Sequence, residues 1–146
     1  MTDQPDQPTP EHRRPDGLDD ATVAAVGRLT EALETVERAR GHLYSFHQLT
    51  GEADFKIGDA VDQLRDAGHA ELADRLGREI VGRNVIEGPW TFQIMEEYDD
   101  IYWSALRQAE RDVRDQLTGG RRHLAEAELK EERRTQGHTN HEAVPD

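Results

Sequence analysis

Polar residues on helix faces that should point inward are the first candidates for chemistry in this sequence. At 100° per residue, Arg40 and His47 fall on the same line as the apolar Leu29 of the first predicted helix. An uncompensated buried charge costs roughly 3–5 kcal/mol, so such groups need partners, water or a ligand. Two inward arginines beside aromatic rings suit a carboxylate or phosphate ligand. The candidate ligand-binding residues are Arg40, Tyr44, His47, Arg83, Glu87, Tyr98, Asp99 and Tyr102.

Three interpretations of these residues stay open. The one with the largest weight is structural pairing, in which the charged groups and the tyrosine hydroxyls close a network among themselves. The second is a pocket for a small anionic ligand. The third is a metal site formed by His47, Glu87 and Asp99, which two nearby arginines would oppose. The paired Glu-x-x-His motifs of di-iron bundles do not occur in the chain.

Catalytic signatures are missing from the sequence. It contains no Gly-x-Ser-x-Gly elbow, dinucleotide fingerprint or Walker loop. It also contains no cysteine, which excludes disulfides, thiolate catalysis and zinc–sulfur sites. We therefore predict no cofactor and no catalytic residue, and we favour a protein that is not an enzyme. One enzymatic arrangement stays open, in which His47 acts as a base that Asp99 orients.

The acidic composition restricts the classes of partner. The 146 residues carry a net charge of −13 at pH 7, which repels nucleic-acid phosphates and anionic lipids. No apolar run approaches the roughly 20 residues that span a bilayer, and the start of the chain lacks the apolar core of a signal peptide. We expect a cytoplasmic protein that binds neither nucleic acid nor membranes.

Apolar periodicity predicts an all-α fold that carries the candidate residues on helices. The expected architecture is an antiparallel bundle of about four helices, two long and two short. The predicted helices run from Asp19 or Asp20 to about Leu49 before Thr50-Gly51, from about Ile57 to a cap at Gly68, from about Leu72 toward Arg83 and Glu87, and from Pro89 to a break at Gly119-Gly120.

The two ends of the chain differ in composition from its middle. Residues 1–17 hold four of the six prolines and predict a disordered tail. Residues 18–118 are predicted to form the helical bundle domain. Residues 119–146 predict a charged tail that is partly helical, with little apolar surface to bury, and then disordered.

The junction between the third and fourth predicted helices carries a resemblance. Residues 82–94 read GRNVIEGPWTFQI, and EEYDD follows at residues 96–100. This stretch resembles a segment of small uncharacterised helical proteins of high-GC Gram-positive bacteria. The resemblance implies a family and a cellular background, but it implies no reaction.

The leading hypothesis for function is a non-enzymatic interaction or binding protein. An apolar seam from Val26 to His47 on the first helix suits self-association, so a homodimer or another protein is the expected partner. The alternative is a polar site in the bundle core that binds a small anionic ligand or a metal ion. Its residues would be Arg40, His47, Arg83, Glu87 and Asp99.

Overall fold

The computed structural model describes residues 6–144, which contain helices and no strand. This confirms the predicted all-α fold. None of the helices in this range is long and apolar enough to cross a membrane. The helices are α1 (Asp20–Asp66), α2 (Ala70–Glu79), α3 (Thr91–Glu97), α4 (Ser104–Thr118) and α5 (Leu124–Arg133), with a 3₁₀ turn at Pro10–His12 and a π-helical segment at Tyr98–Trp103.

The chain forms two compact units. The terminal unit comprises the described parts of Met1–Val36 and Ser104–Asp146, and the central unit is Glu37–Trp103. Helix α1 contributes its first part to the terminal unit and the remainder to the central unit. This grouping differs from the predicted order of tail, bundle domain and tail. Of the predicted tails, residues 1–5 and 145–146 lie outside the described residues.

Helix α1 begins and ends where the sequence indicates a start and a stop. The Asp19 carboxylate accepts a hydrogen bond from the backbone N–H of Thr22 at 2.7 Å, which caps the first turn. At the other end, the backbone N–H of Gly68 donates to the carbonyl of Arg65 at 3.0 Å. The φ angle of Gly68 is +92°, a left-handed conformation that favours glycine. The predicted cap at Gly68 is therefore confirmed, although it closes α1.

The predicted break at Thr50-Gly51 is wrong, because α1 is continuous there. An interior glycine costs only about 1 kcal/mol relative to alanine, which contacts on either side can offset. The preceding turn carries His47, whose Nδ1 lies 2.6 Å from the hydroxyl oxygen of Thr91. The following turn carries Asp54, which accepts the backbone N–H of Gly82 at 2.8 Å. These tertiary contacts hold both sides of the weak point in the helix.

In the central unit, α1 runs antiparallel to α2 and to the segment that enters α3. Val61 on α1 and Ala73 on α2 are buried, and Arg65 pairs with Asp74 at 2.8 Å. As the residue number along α1 increases, the residue number of its hydrogen-bond partner decreases, which shows that the two segments run antiparallel. These pairs are Arg40 with Asp99, His47 with Thr91, and Asp54 with Gly82.

Helix α2 ends at Glu79 and does not continue to Arg83 and Glu87 as predicted. Gly82 has a φ angle of +72°, which turns the backbone out of the helix. All of residues 81–90 are exposed. Arg83 and Glu87 therefore lie on an exposed connection, and their directions do not follow from the helical spacing of α2.

A buried ion pair joins three parts of the terminal unit. Arg114 Nε donates to Glu110 Oε1 at 3.0 Å, and Arg114 Nη1 donates to the carbonyl of Gly120 at 3.0 Å. The hydroxyl of Thr30 on α1 donates to the same carboxylate oxygen at 3.2 Å. The pair thus links α1, α4 and the turn after α4. Positive φ angles at both glycines confirm the predicted break at Gly119-Gly120.

Helix α5 packs closely on α1 at a glycine. A Cβ atom added to Gly27 would lie 3.0 Å from the Cβ of Ala125, so the absence of a side chain permits this approach. Leu124 is buried and lines a small cavity together with Val23 and Val26. Leu124 is the one buried residue of α5, and Leu129 in the same helix is exposed, so α5 packs on α1 through its first turn.

The described ends of the chain also contact each other. The Arg134 side chain is fully buried, and it donates to the carboxylates of Asp6 and Glu131 at 2.6 Å each. A further hydrogen bond joins the backbone N–H of Ala143 to the Asp6 carboxylate at 2.8 Å. Two segments that sequence composition assigns to opposite tails thus share one set of polar contacts.

Replacing Glu110 by Ala should lower the free energy of unfolding by about 3–5 kcal/mol, because Arg114 would remain buried without its counter-charge. Urea denaturation followed by circular dichroism measures this change. The control is Glu132→Ala, at an exposed glutamate of α5, which should change the free energy by less than about 0.5 kcal/mol. Equal losses in the two variants would contradict a stabilising role for the pair.

Candidate functional site

The guanidinium of Arg40 forms a two-point ion pair with Asp99. Nε lies 2.6 Å from Oδ1, and Nη2 lies 3.0 Å from Oδ2. The hydroxyl of Tyr44 donates to the same Oδ2 at 3.1 Å. The guanidinium also stands over the rings of Tyr44 and Trp103, 4.8 and 4.3 Å from their centroids. Arginine is suited to this site because its planar fork pairs with a carboxylate while its faces stack on aromatic rings.

Asp99 and Trp103, the two residues of this cluster that do not belong to α1, both lie on the π-helical segment Tyr98–Trp103. A π-helix widens each turn by one residue and occurs mostly as short insertions within α-helices, frequently at functional sites. In this chain it follows α3 directly and leads directly into α4. The ion pair and the cation–π contact with Arg40 both form on this segment, and we infer that they offset the cost of the wider turn.

The ion pair keeps the Asp99 carboxyl in its charged form. Hydrogen bonds from Arg40 lower the pKa of Asp99 below its ordinary 3.8, and the hydroxyl of Tyr44 lowers it further, while burial acts in the opposite direction. The side chains of Arg40 and Asp99 are 30% and 19% exposed, so only the edge of the cluster meets solvent. Because both charges have partners in the protein, the geometry favours the structural interpretation of this pair.

The other predicted residues do not join this cluster. Tyr98 and Tyr102 stack on each other, with ring centroids 5.6 Å apart. Within residues 6–144, neither Arg83 nor Glu87 forms an ion pair, and both are exposed. The eight predicted residues therefore do not form one site. The structure brings Arg40, Tyr44 and Asp99 together, and it places His47 and Arg83 elsewhere in the central unit.

His47 and Arg83 line a common groove between α1 and the connection that leads to α3. Its volume is about 500 Å³. Asp54 contributes a carboxylate to the lining, and Trp90 and Phe92 contribute aromatic rings whose centroids are 5.3 Å apart. The groove thus combines two opposite charges with apolar walls.

Sequence reasoning missed several residues that build this groove. Trp90 Nε1 donates to Asn84 Oδ1 at 3.1 Å, which ties the last residue of the exposed connection back to its first half. The backbone N–H of Trp90 donates to the side chain of Gln93 at 2.9 Å, which closes the first turn of α3. The sequence signals for this loop are Gly82, Gly88 and Pro89, which predict turns and a helix start but no partners.

The predicted metal ligands His47, Glu87 and Asp99 do not come together. In the part of the chain that the structure describes, three potential donors converge only at Glu34, His123 and Glu126, within 4.8 Å of one another. All three are exposed, and a close contact between His123 Nδ1 and Glu126 Oε2 accounts for the closeness of two of them. This surface cluster does not match the predicted metal site.

No protein-family model matches the chain, and no curated protein or solved structure matches it significantly. The resemblance of residues 82–100 to small proteins of high-GC Gram-positive bacteria therefore stays a prediction.

Replacing Asp99 by Asn should lower the free energy of unfolding at pH 7 by about 1.5–3 kcal/mol, the usual contribution of a hydrogen bond to a charged group. The folded state lowers the Asp99 pKa, so the stabilisation is complete above the ordinary pKa of 3.8 and is lost as pH falls through the lowered pKa. Urea titrations at pH 7, near pH 3.8 and about one unit below it should show the difference between wild type and variant shrinking.

Glu96→Gln is the matched control for the Asp99 variant, because Glu96 is an exposed carboxylate on the same run of helix. It should track the wild type at every pH. A difference between Asp99→Asn and wild type that stayed constant across the series would show that the ion pair is not the source of the stabilisation.

Proposed function

We propose that this protein is a non-enzymatic helical interaction protein that self-associates through the part of α1 in the central unit. The supporting observation is the distribution of exposed apolar side chains. Of the fourteen large apolar residues that are exposed in the described part of the chain, three lie in the terminal unit and eleven in the central unit. Those eleven are Phe46, Leu49, Phe55, Leu72, Val81, Val85, Ile86, Trp90, Phe92, Ile101 and Tyr102.

The apolar core of the central unit is small beside this exposed surface. Across Glu37–Trp103, all of which the structure describes, the buried apolar residues are Val61 and Ala73. Apolar burial is the main driving force of folding and of most protein association. Large contiguous exposed apolar patches are typical of interaction sites. A second protein surface that covers these side chains would therefore add stability that the unit does not obtain from its own core.

Two of these side chains, Phe46 and Leu49, share one face of α1 with two exposed alanines. Phe46, Leu49, Ala53 and Ala60 are exposed and lie within about 60° of one another around the helix axis at 100° per residue. We call these four residues the α1 stripe. Alanine at two of its positions leaves room for another helix to approach closely. An ion pair between Glu52 and Lys56, 2.9 Å long, flanks the stripe on one side.

The partner that this stripe fits best is a second copy of the same stripe. Its positions recur at spacings of three, four and seven residues, the pattern of helix pairs that pack side by side. Its four residues carry no charge, and the charged groups that flank it, Glu52 and Lys56, already pair with each other, so two copies of a protein with net charge −13 can meet there without bringing an unpaired charge into the contact. A two-fold axis would place the same residues of both copies in the interface.

The seam that the sequence predicts for self-association is used within the chain. Val26 is buried, and Thr30, Arg40 and His47 hydrogen-bond other elements of their own unit. Self-association through the first helix therefore requires a different face, and the α1 stripe supplies it. The ion-paired state of Arg40 supports a structural role for this residue, and a cytoplasmic location is part of the same proposal.

Replacing Leu49 by Lys should weaken self-association at least about tenfold, because Leu49 is 61% exposed and would lose apolar burial while a charge enters the contact. Size-exclusion chromatography with light scattering over a concentration series measures the mass. The wild type should be dimeric at high concentration, and Leu49→Lys should be monomeric.

Leu72→Lys is the matched control, because Leu72 is 51% exposed but lies on α2, outside the α1 stripe. It should remain dimeric. A wild type that is monomeric at the highest concentration would overturn the proposed self-association. A dimer that survives Leu49→Lys and dissociates in Leu72→Lys would overturn the assignment of the interface to the α1 stripe.

A further inference from the structure

The groove that His47 and Arg83 line has the size of a small-molecule site. Ligand pockets commonly enclose roughly 300–1,000 Å³, and this groove measures about 500 Å³. Ile57 on α1, together with Ile80 and Val85 on the connection, supplies aliphatic lining. Such a surface favours a ligand with an apolar body, held in orientation by a small number of polar contacts.

Two opposite charges line this groove without pairing with each other. Asp54 is half-buried and accepts the backbone N–H of Gly82 at one carboxylate oxygen, Oδ1. Its second oxygen is available to a further donor. Arg83 is exposed, and within residues 6–144 its guanidinium has neither an ion pair nor a hydrogen bond. The groove therefore offers one acceptor with a negative charge and one fork of donors with a positive charge.

We propose that the groove binds a free α-amino acid with an aromatic or branched aliphatic side chain. The ligand carboxylate matches the guanidinium of Arg83, which can hold it at two points. The ligand ammonium matches the carboxylate of Asp54, and the exposed ring of Trp90 provides an aromatic face for the cation. The side chain of the ligand would cover the aliphatic residues and Phe92.

The balance of charge in the groove distinguishes this ligand from a simple anion. Arg83 and Asp54 are the arginine and the acidic residue of the lining, so their formal charges cancel. A zwitterion satisfies both groups at once, whereas a monoanion would leave Asp54 unmatched and a phosphate ester would add a second negative charge beside it. An amino acid is therefore the preferred ligand class, because its two charged ends match both Arg83 and Asp54.

This inference goes beyond the proposed self-association and is tested by other variants. Ala53 belongs to both surfaces, but Phe46 and Leu49 of the α1 stripe do not line the groove, and Arg83 and Asp54 do not belong to the α1 stripe. A wild type that is monomeric would contradict the proposed self-association and not the amino-acid site. A wild type that fails to bind amino acids would contradict the amino-acid site and not the proposed self-association.

Isothermal titration calorimetry on the full chain tests the site with L-phenylalanine and L-leucine as probes. N-acetyl-L-phenylalanine lacks the ammonium charge, and L-phenylalaninamide lacks the carboxylate. Each derivative should bind the wild type roughly ten- to a hundredfold more weakly than L-phenylalanine, the loss expected for a hydrogen bond between charged groups.

Two variants complete the comparison by removing one protein charge each. In Arg83→Gln, L-phenylalanine and its amide should bind with similar affinity, because the carboxylate has lost its partner. In Asp54→Asn, L-phenylalanine and its N-acetyl derivative should bind with similar affinity for the same reason at the other end. The asparagine Oδ1 can still accept the N–H of Gly82, so this variant keeps the local structure.

Arg75→Gln and Asp59→Asn are the matched controls, because both residues are exposed and neither lines the groove. Both should bind L-phenylalanine like the wild type. The proposal is overturned if neither amino acid gives saturable binding to the wild type up to millimolar concentration. It is also overturned if the N-acetyl derivative binds the wild type as tightly as L-phenylalanine, since the groove would then be a site for anions.

Discussion

The polar and charged side chains along the inward face of α1 fix how neighbouring segments pack against it. Apolar contacts alone allow a packed segment to shift slightly along the helix. Separating a partly buried charge from its partner costs several kcal/mol, so a paired charge does not allow that shift. In the terminal unit, the contact that sets the packing is the hydrogen bond from Thr30 to Glu110. The Glu110 carboxylate also accepts a hydrogen bond from Arg114. In the central unit, the corresponding contacts are those of Arg40 with Asp99 and of His47 with Thr91. Each pair lies within its own unit and sets the register there.

Dependence on polar contacts follows from the small apolar core. The buried apolar side chains of the described chain are Val23, Val26, Val61, Ala73 and Leu124, all of modest size. A core of this kind supplies limited hydrophobic stabilisation, so ion pairs, glycine contacts and helix caps carry more of the specificity. Because the core is small, large apolar residues of the central unit remain exposed. The feature that makes the fold rely on Arg40 and Asp99 is therefore also the feature that provides surface for a partner.

The central unit separates two kinds of polar group that look alike in the sequence. Arg40 and Arg83 are both arginines near predicted inward faces, but Arg40 is paired and stacked while Arg83 stands on an exposed loop. The difference arises at Gly82, whose left-handed conformation ends the helical path on which the inward direction of Arg83 was based. A charge that is already paired stabilises the fold, whereas a charge at the rim of an apolar groove is free to recognise a ligand.

The sequence by itself determined the all-α class, a cap at Asp19 or Asp20, the cap at Gly68, and the inward direction of Arg40 and His47. These features depend on residues within one or two turns of each other, where helical periodicity and capping preferences act directly. Only the tertiary structure decided that α1 continues through Gly51, that Tyr98–Trp103 is π-helical, and which residues form the groove. Each of these depends on contacts between residues far apart in the chain. The free energy of such contacts exceeds the helix-propensity difference of about 1 kcal/mol per residue. The sequence pattern within a single helix does not show which distant residues will form them.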